Sequence, residues 1–190
     1  MYSKSSTADG RPRVVTVGVA DLRVSTSPGE VLVTYSLGSC IGVTVYDGVA
    51  RVGGLLHFQL PDAVESEIPN PALYGDSGLA VMLSKLERAG ARRENLRVCF
   101  AGGANMLSNA RCFDIGAKNI ASIRTQLLGR GLRAEAKDVG GTVPRTMTMR
   151  MSDGAVALRT AAGVKLLNPR PQCQRDFRAV DIVPPRPTGT

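Results

Sequence analysis

A chain of 190 residues, 43% hydrophobic and 21% charged with only 4% aromatics and no Trp, is long enough to bury a self-sufficient core, mostly of Val, Leu, Ala and Ile, without disulfides or a structural metal. Its formal charge of +8 points to an acidic partner, but the basic residues are scattered (Arg92, Arg93, Lys118, Arg124, Arg130, Arg133, Arg145) with no aromatic-plus-basic pattern and no recognition-helix signature, which disfavours nucleic acid. No apolar run approaches the roughly 20 residues that span a bilayer and the first residues lack a secretory stretch, so a cytoplasmic protein without membrane insertion is expected.

In chain order, residues 1–12 are polar with Ser, Gly and Pro and read as a flexible tail. Residues 14–19, 31–35, 41–46 and 51–58 are β-branched, partly alternating runs separated by SPGE, LGS and DG, and predict strands. Gly53-Gly54 inside the last of these hints at a bulge or a close backbone approach. Residues 77–89 place Leu79, Met82, Leu83 and Leu86 on one helical face, with Asp76 or Ser77 as cap and Gly90 as stop. A buried strand over 96–101 precedes a second helix over 116–128, which carries Ile120, Ile123, Leu127 and Leu128 and stops at Gly129 or Gly131. Strands over 132–139, 145–151 and 155–158 follow, and residues 168–190 form a Pro/Arg-rich extension. Residues 13–167 thus read as a single α+β domain, a layered sandwich of mostly antiparallel or mixed sheets flanked by two main helices. The chain has no internal repeat and no glycine-rich nucleotide loop.

The stretch YSLGSCIGVTVYDGVARVGGLLHFQLPD, residues 35–62, holds one of the four cysteines and the only histidine. Cys40, Cys99, Cys112 and Cys173 show no CxxC spacing and, with one His, form no familiar ligand set; they read as reduced thiols. If residues 41–46 and 51–58 form a hairpin, a two-residue loop at Asp47-Gly48 pairs Cys40 with Leu55. A four-residue loop over 47–50 pairs Cys40 with His57. Both registers put Cys40 and His57 on one sheet face. An imidazole beside a thiol stabilises the thiolate as an ion pair, which permits attack near neutral pH, and can then protonate a departing amine. The bland alternative makes Cys40 a small buried hydrophobe and His57 a core residue. The Gly38-Ser39 corner counts against it, because it keeps the backbone open around the sulfur and leaves amide N–H groups for an oxyanion. No carboxylate lies at an obvious spacing to orient the ring, and Thr34 on the preceding strand is the better geometric choice, although a Thr in a strand is also simply a β-former. Phe58, Gly102 and Gly103 are further candidates for substrate contact, the glycines because they let a peptide approach the backbone.

The order LGSCIGVTVYD, RVGGLLHFQLP, YGDSGLAVMLSKLERAGA, FAGGANM, IGAKN and DVGGTVPRTMTM, from about residue 17 to 156, resembles the CheD family, the chemoreceptor glutamine deamidases of bacterial chemotaxis. The resemblance implies a nucleophile at Cys40, a histidine partner at His57 and a threonine at Thr34. It also implies a fold similar to the deamidating domain of certain bacterial toxins, and no metal or organic cofactor. Family members convert receptor glutamines to glutamates through a Cys thioester, releasing ammonia, and many bind CheC, a phosphatase of the response regulator CheY. Their substrate helices are coiled coils rich in acidic residues, which would suit the positive charge. Departures from the family pattern are Leu55-Leu56 for Met-Asn, Gln59 for Met and Lys118 for Arg; none falls on Thr34, Cys40 or His57. The rival reading is a regulatory binding module for a CheC-type phosphatase or for receptors with little catalysis, but a pure adaptor has no need to retain those three residues.

Overall fold

A computed structural model describes residues 12–63, 68–105 and 114–168. The tail to residue 11 and the extension from residue 169, with Cys112 and Cys173, lie outside the described residues. The elements are β1 (Arg13–Thr16), β2 (Asp21–Ser25), β3 (Glu30–Leu37), β4 (Ile41–Asp47), β5 (Val52–Phe58), α1 (Gly75–Arg88), β6 (Leu96–Gly102), α2 (Ile115–Gly129), β7 (Ala134–Val139), β8 (Arg145–Arg150), β9 (Val156–Thr160) and β10 (Gly163–Leu166). One sheet has the order β1-β3-β8-β9-β10 and the other β2-β5-β4-β6-β7. The pairs β1/β3 and β6/β7 are parallel and the rest antiparallel. The two sheets pack face to face and both helices cover the second, giving the α+β layered sandwich with mixed sheets that the sequence predicts.

The period-2 alternation of a strand divides the core in two. From β4, Ile41, Val43 and Val45 join Leu79, Met82, Leu83 and Leu86 of α1 and Ile123 and Leu127 of α2 on the helix side. Tyr46 and Leu55 point the other way and meet Leu32, Met147, Met149 and Leu158 between the sheets. Every residue of β4 and β5 is therefore buried, which is why neither strand shows a polar face. Gly42 sits in this inter-sheet layer because a Cβ there would come within 2.9 Å of a Leu37 methyl and 3.0 Å of the Met147 sulfur.

Several local expectations change. α1 starts at Gly75 behind Tyr74, with no side-chain cap; Asp76 instead accepts the Ala63 N–H and Ser77 donates to the Pro71 carbonyl. Leu128 of α2 is 80% exposed and belongs to no core. The Gly53-Gly54 pair carries no bulge, since the β4/β5 ladder is continuous from Ile41↔Phe58 to Asp47↔Val52; it is a close approach, with a Cβ on Gly53 falling 2.7 Å from the Tyr46 ring. The edge strands β2 and β10 have no counterpart in the sequence reading. Asp21, Arg23 and Lys165 face solvent there, and an edge strand with charges on it carries little of the apolar alternation that marks a strand. No helix among the described residues is long and apolar enough to cross a membrane.

Candidate active site

The hairpin register decides who meets His57. Four residues, Gly48 to Arg51, close the β4–β5 turn, and the ladder pairs Gly42 with His57 and Ile41 with Phe58. Neither expected register occurs: relative to the four-residue loop over 47–50 the turn begins one residue later and pairs each residue of β4 two positions further along β5, and relative to the two-residue loop four positions further. A shift of two or four leaves side-chain facing unchanged. Cys40, two residues before Gly42 and just outside the ladder, remains on the inter-sheet face that His57 occupies. Its side chain packs against the inter-sheet core and is half-buried.

Thr34 reaches the same layer from the opposite sheet. It faces Met147 in the β3/β8 ladder, immediately before the register shift that separates Thr34 from Leu37. Its Oγ1 and the Nδ1 of His57 lie 2.7 Å apart and share a hydrogen bond. Both residues are sealed from solvent, Thr34 at 0% and His57 at 1% exposure. The other ring nitrogen, Nε2, is buried and has no hydrogen-bond partner.

Burial alone pushes the His57 pKa down to about 4. Burial also raises the Cys40 thiol, against the opposing effect of its own backbone N–H. Both shifts favour the uncharged thiol and the uncharged imidazole over the thiolate–imidazolium pair that adjacency by itself predicts. In this state the imidazole can serve as a base only at the moment of attack. Cys99 is a different case: buried in the core, its thiol is pushed up to about 12, first by burial and then by Glu135, and is inert.

The corner ahead of Cys40 is held through its carbonyls. Ser36 takes a positive φ of 56° and accepts the Gly38 N–H. The Gly38 carbonyl accepts from the Ala104 N–H at 2.7 Å and the Cys40 carbonyl from the Gly103 N–H at 2.9 Å. The carbonyl of Ser39 accepts from the side-chain amide of Asn119. With no cis peptide among the described residues, the N–H of each following residue points away from these anchors. Gly102 and Gly103 thus back the corner instead of lining an open groove: both are buried, and a Cβ on Gly102 would lie 2.1 Å from the Cys40 carbonyl oxygen. Phe58 points into the helix-side core, fully buried, with two ring carbons 3.0 Å from where a Gly75 Cβ would stand. It offers no surface to a substrate.

Two neighbours are absent from the sequence reading. Asp21 of β2 lies directly opposite His57 across the β2/β5 ladder, but its carboxylate accepts the Leu22 N–H and makes no bond to the ring. Only recognition of β2 as a strand would have revealed it. Asn119 of α2, at 0% exposure, donates to the Ser39 carbonyl at 2.9 Å and the Gln59 carbonyl at 2.8 Å. Its signal in the sequence is a polar amide one turn before Ile123, on the stripe that faces the core.

Residues 59–160 match the family model described as CheD chemotactic sensory transduction. The chain is 39% identical over 148 residues to the probable chemoreceptor glutamine deamidase CheD of Clostridium tetani, covering 76% of this chain and 89% of that one. It is 38% identical over 158 residues to the protein of the same description from Solibacter usitatus, covering 82% and 94%. A third relative, the probable chemoreceptor glutamine deamidase CheD 1 of Syntrophus aciditrophicus, is 36% identical over 152 residues, covering 78% and 95%.

Proposed function

The chain belongs to the CheD family, and on that premise we propose that it is a cysteine-dependent deamidase that converts glutamines of chemoreceptor cytoplasmic helices to glutamate. The observation that carries this reading is the Thr34–His57 hydrogen bond at 2.7 Å, which leaves Nε2 unpartnered on the sheet face shared with Cys40. A hydroxyl can donate to Nδ1 or accept from it; in the tautomer proposed here Nδ1–H donates to Thr34 Oγ1, and Nε2 is free to take a proton.

In the proposed reaction Nε2 accepts the Cys40 proton as the sulfur attacks the side-chain carboxamide carbon of the glutamine. The negative charge that develops on the amide oxygen is met by backbone N–H groups of the Ser39–Cys40 corner, which point away from the anchored carbonyls. Nε2–H then protonates the leaving nitrogen, ammonia departs, and a thioester remains on Cys40. Water attacks the thioester carbon, giving its proton to Nε2, and the sulfur leaves and is reprotonated from there. The receptor side chain is released as glutamate, and the thiol and imidazole return to their starting forms. The protein acts in the cytoplasm on the receptor's soluble helical part, and a CheC-type phosphatase is a second candidate partner.

Incubation with a receptor cytoplasmic fragment, followed by peptide mass spectrometry, tests this. The wild type is expected to give the amide-to-acid mass gain at particular glutamines, Cys40→Ala none, and His57→Ala less than about 1% of the wild-type rate. Deamidation that survives Cys40→Ala would remove the proposed nucleophile. A wild type that binds receptor or CheC-type phosphatase tightly without deamidating would identify a regulatory module instead.

A further inference from the structure

The β4/β5 ladder that carries His57 ends one rung short of Cys40. Its last pair is Ile41↔Phe58. Cys40 lies just beyond it on one chain and Gln59 just beyond it on the other, so no ladder bond sets the distance between the corner and the end of β5. A frayed rung is free to splay, and a misplacement of about 1 Å between reacting groups can cost about 100-fold in rate.

Asn119 occupies this gap. Its single amide nitrogen donates one hydrogen to the carbonyl of Ser39, the residue before Cys40, and the other to the carbonyl of Gln59, two residues past His57. Two carbonyl acceptors admit only the NH2 end of an amide, so the orientation of the side chain is decided. It is anchored on a 15-residue helix, whose next turn is pinned to the same chain segment by Ser122, its one hydroxyl proton shared between the Pro61 carbonyl and the Asp62 carboxylate, each 2.8 Å away. We propose that Asn119 is the positioning residue of the site, a side-chain rung that replaces the missing backbone rung and fixes the spacing between the Cys40 thiol and the His57 imidazole. Its Oδ1 is buried without a partner, a cost that is tolerated where the amide is held for the sake of its donors.

This proposal rests on the Cys40–His57 pairing of the deamidase reading, and its test includes a measurement that needs no receptor. The full chain is compared with Asn119→Ala, with the near-isosteric Asn119→Asp, which turns an acceptor toward both carbonyls, and with His57→Ala. Ser122→Ala serves as control, since it loosens the same helix without touching Ser39 or Gln59. Alkylation by iodoacetamide is followed at the Cys40 peptide by mass spectrometry across neutral to alkaline pH. Both Asn119 variants are expected to shift the pH profile of alkylation onto that of His57→Ala, whereas Ser122→Ala keeps the wild-type profile. With a receptor fragment, kcat is expected to fall roughly 100-fold in the Asn119 variants while KM stays within about threefold. Asn119 variants that keep the wild-type alkylation profile, or that lose only thermal stability to the extent Ser122→Ala does, would overturn the proposal. A wild type without deamidase activity, but whose alkylation profile shifts alike in His57→Ala and the Asn119 variants, would sink the deamidase reading and leave the positioning role standing.

Discussion

At the scale of the residue, the site is governed by burial more than by charge. His57 has a hydroxyl where many catalytic histidines have a carboxylate, and nothing ionised bonds its ring. With its pKa at about 4 in the fold against about 6.5 in an unfolded chain, the unfolded state binds a proton between these values that the folded state refuses. Stability therefore rises with pH across that window and is lost as pH falls through it, by about 3 kcal/mol in all. Against the pull of burial, hydrogen bonds hold Asp47 below the usual carboxylate range, and Lys165 and Arg145 do the same for Asp138. Their loss on acidification is common to wild type and variant. Urea unfolding of wild type and His57→Gln from about pH 7 to pH 5 is expected to show the wild type losing about 2 kcal/mol more than the variant. Parallel curves would mean that the imidazole is not buried uncharged.

At the scale of the element, the corner between β3 and β4 matters most. The strand β3 breaks register after Thr34, the chain turns through Gly38-Ser39-Cys40, and the end of β6 supports the turn from behind. Gly102 makes that support possible, because its φ of +121° and the 2.1 Å approach of its would-be Cβ to the Cys40 carbonyl exclude any side chain. Gly102→Ala must move backbone, not a flexible side chain. We expect it to destabilise the protein by about 3 kcal/mol and to slow Cys40 alkylation, both read in one denaturation and labelling series. A stable variant with native Cys40 reactivity would show that the corner does not depend on β6.

At the scale of the whole molecule, the site belongs to neither sheet. Thr34 comes from the first, His57 from the second and Cys40 from the corner that joins them, and the methionine-rich layer of Met147, Met149 and Met151 fills the space between the sheets. Thr34 and His57 can meet only when the sheets are packed, so the hydrogen bond between them exists only in the folded protein. The net charge of +8 acts at the same scale. If the partner is an acidic helix, the protein's scattered Arg and Lys are expected to raise the rate of encounter through a field that salt screens within about 10 Å at 0.1 M. Stopped-flow association with a receptor fragment is expected to slow roughly tenfold between low and moderately high salt while the dissociation rate changes little. An association rate indifferent to salt would leave the charge with no steering role.

The sequence by itself determined what depends on local periodicity. It determined the places of the central strands along the chain, the apolar face of α1, the bounds of α2 to within a residue or so, and the shared facing of residues 40 and 57, which survives any even slip of register. The tertiary structure alone decided quantities that no short window contains. Register came from a turn that begins at Gly48 instead of Asp47. The edge strand β2, and Asp21 opposite His57, came from pairing with β5 and not from an apolar pattern. The burial that disfavours charge on Cys40 and His57, and the two hydrogen bonds from Asn119, came from packing a second sheet and a helix around one hairpin. Side-chain facing repeats every two residues and can be read from the chain, whereas burial and long-range hydrogen bonds are properties of everything that closes around a residue, and exist only once the fold is complete.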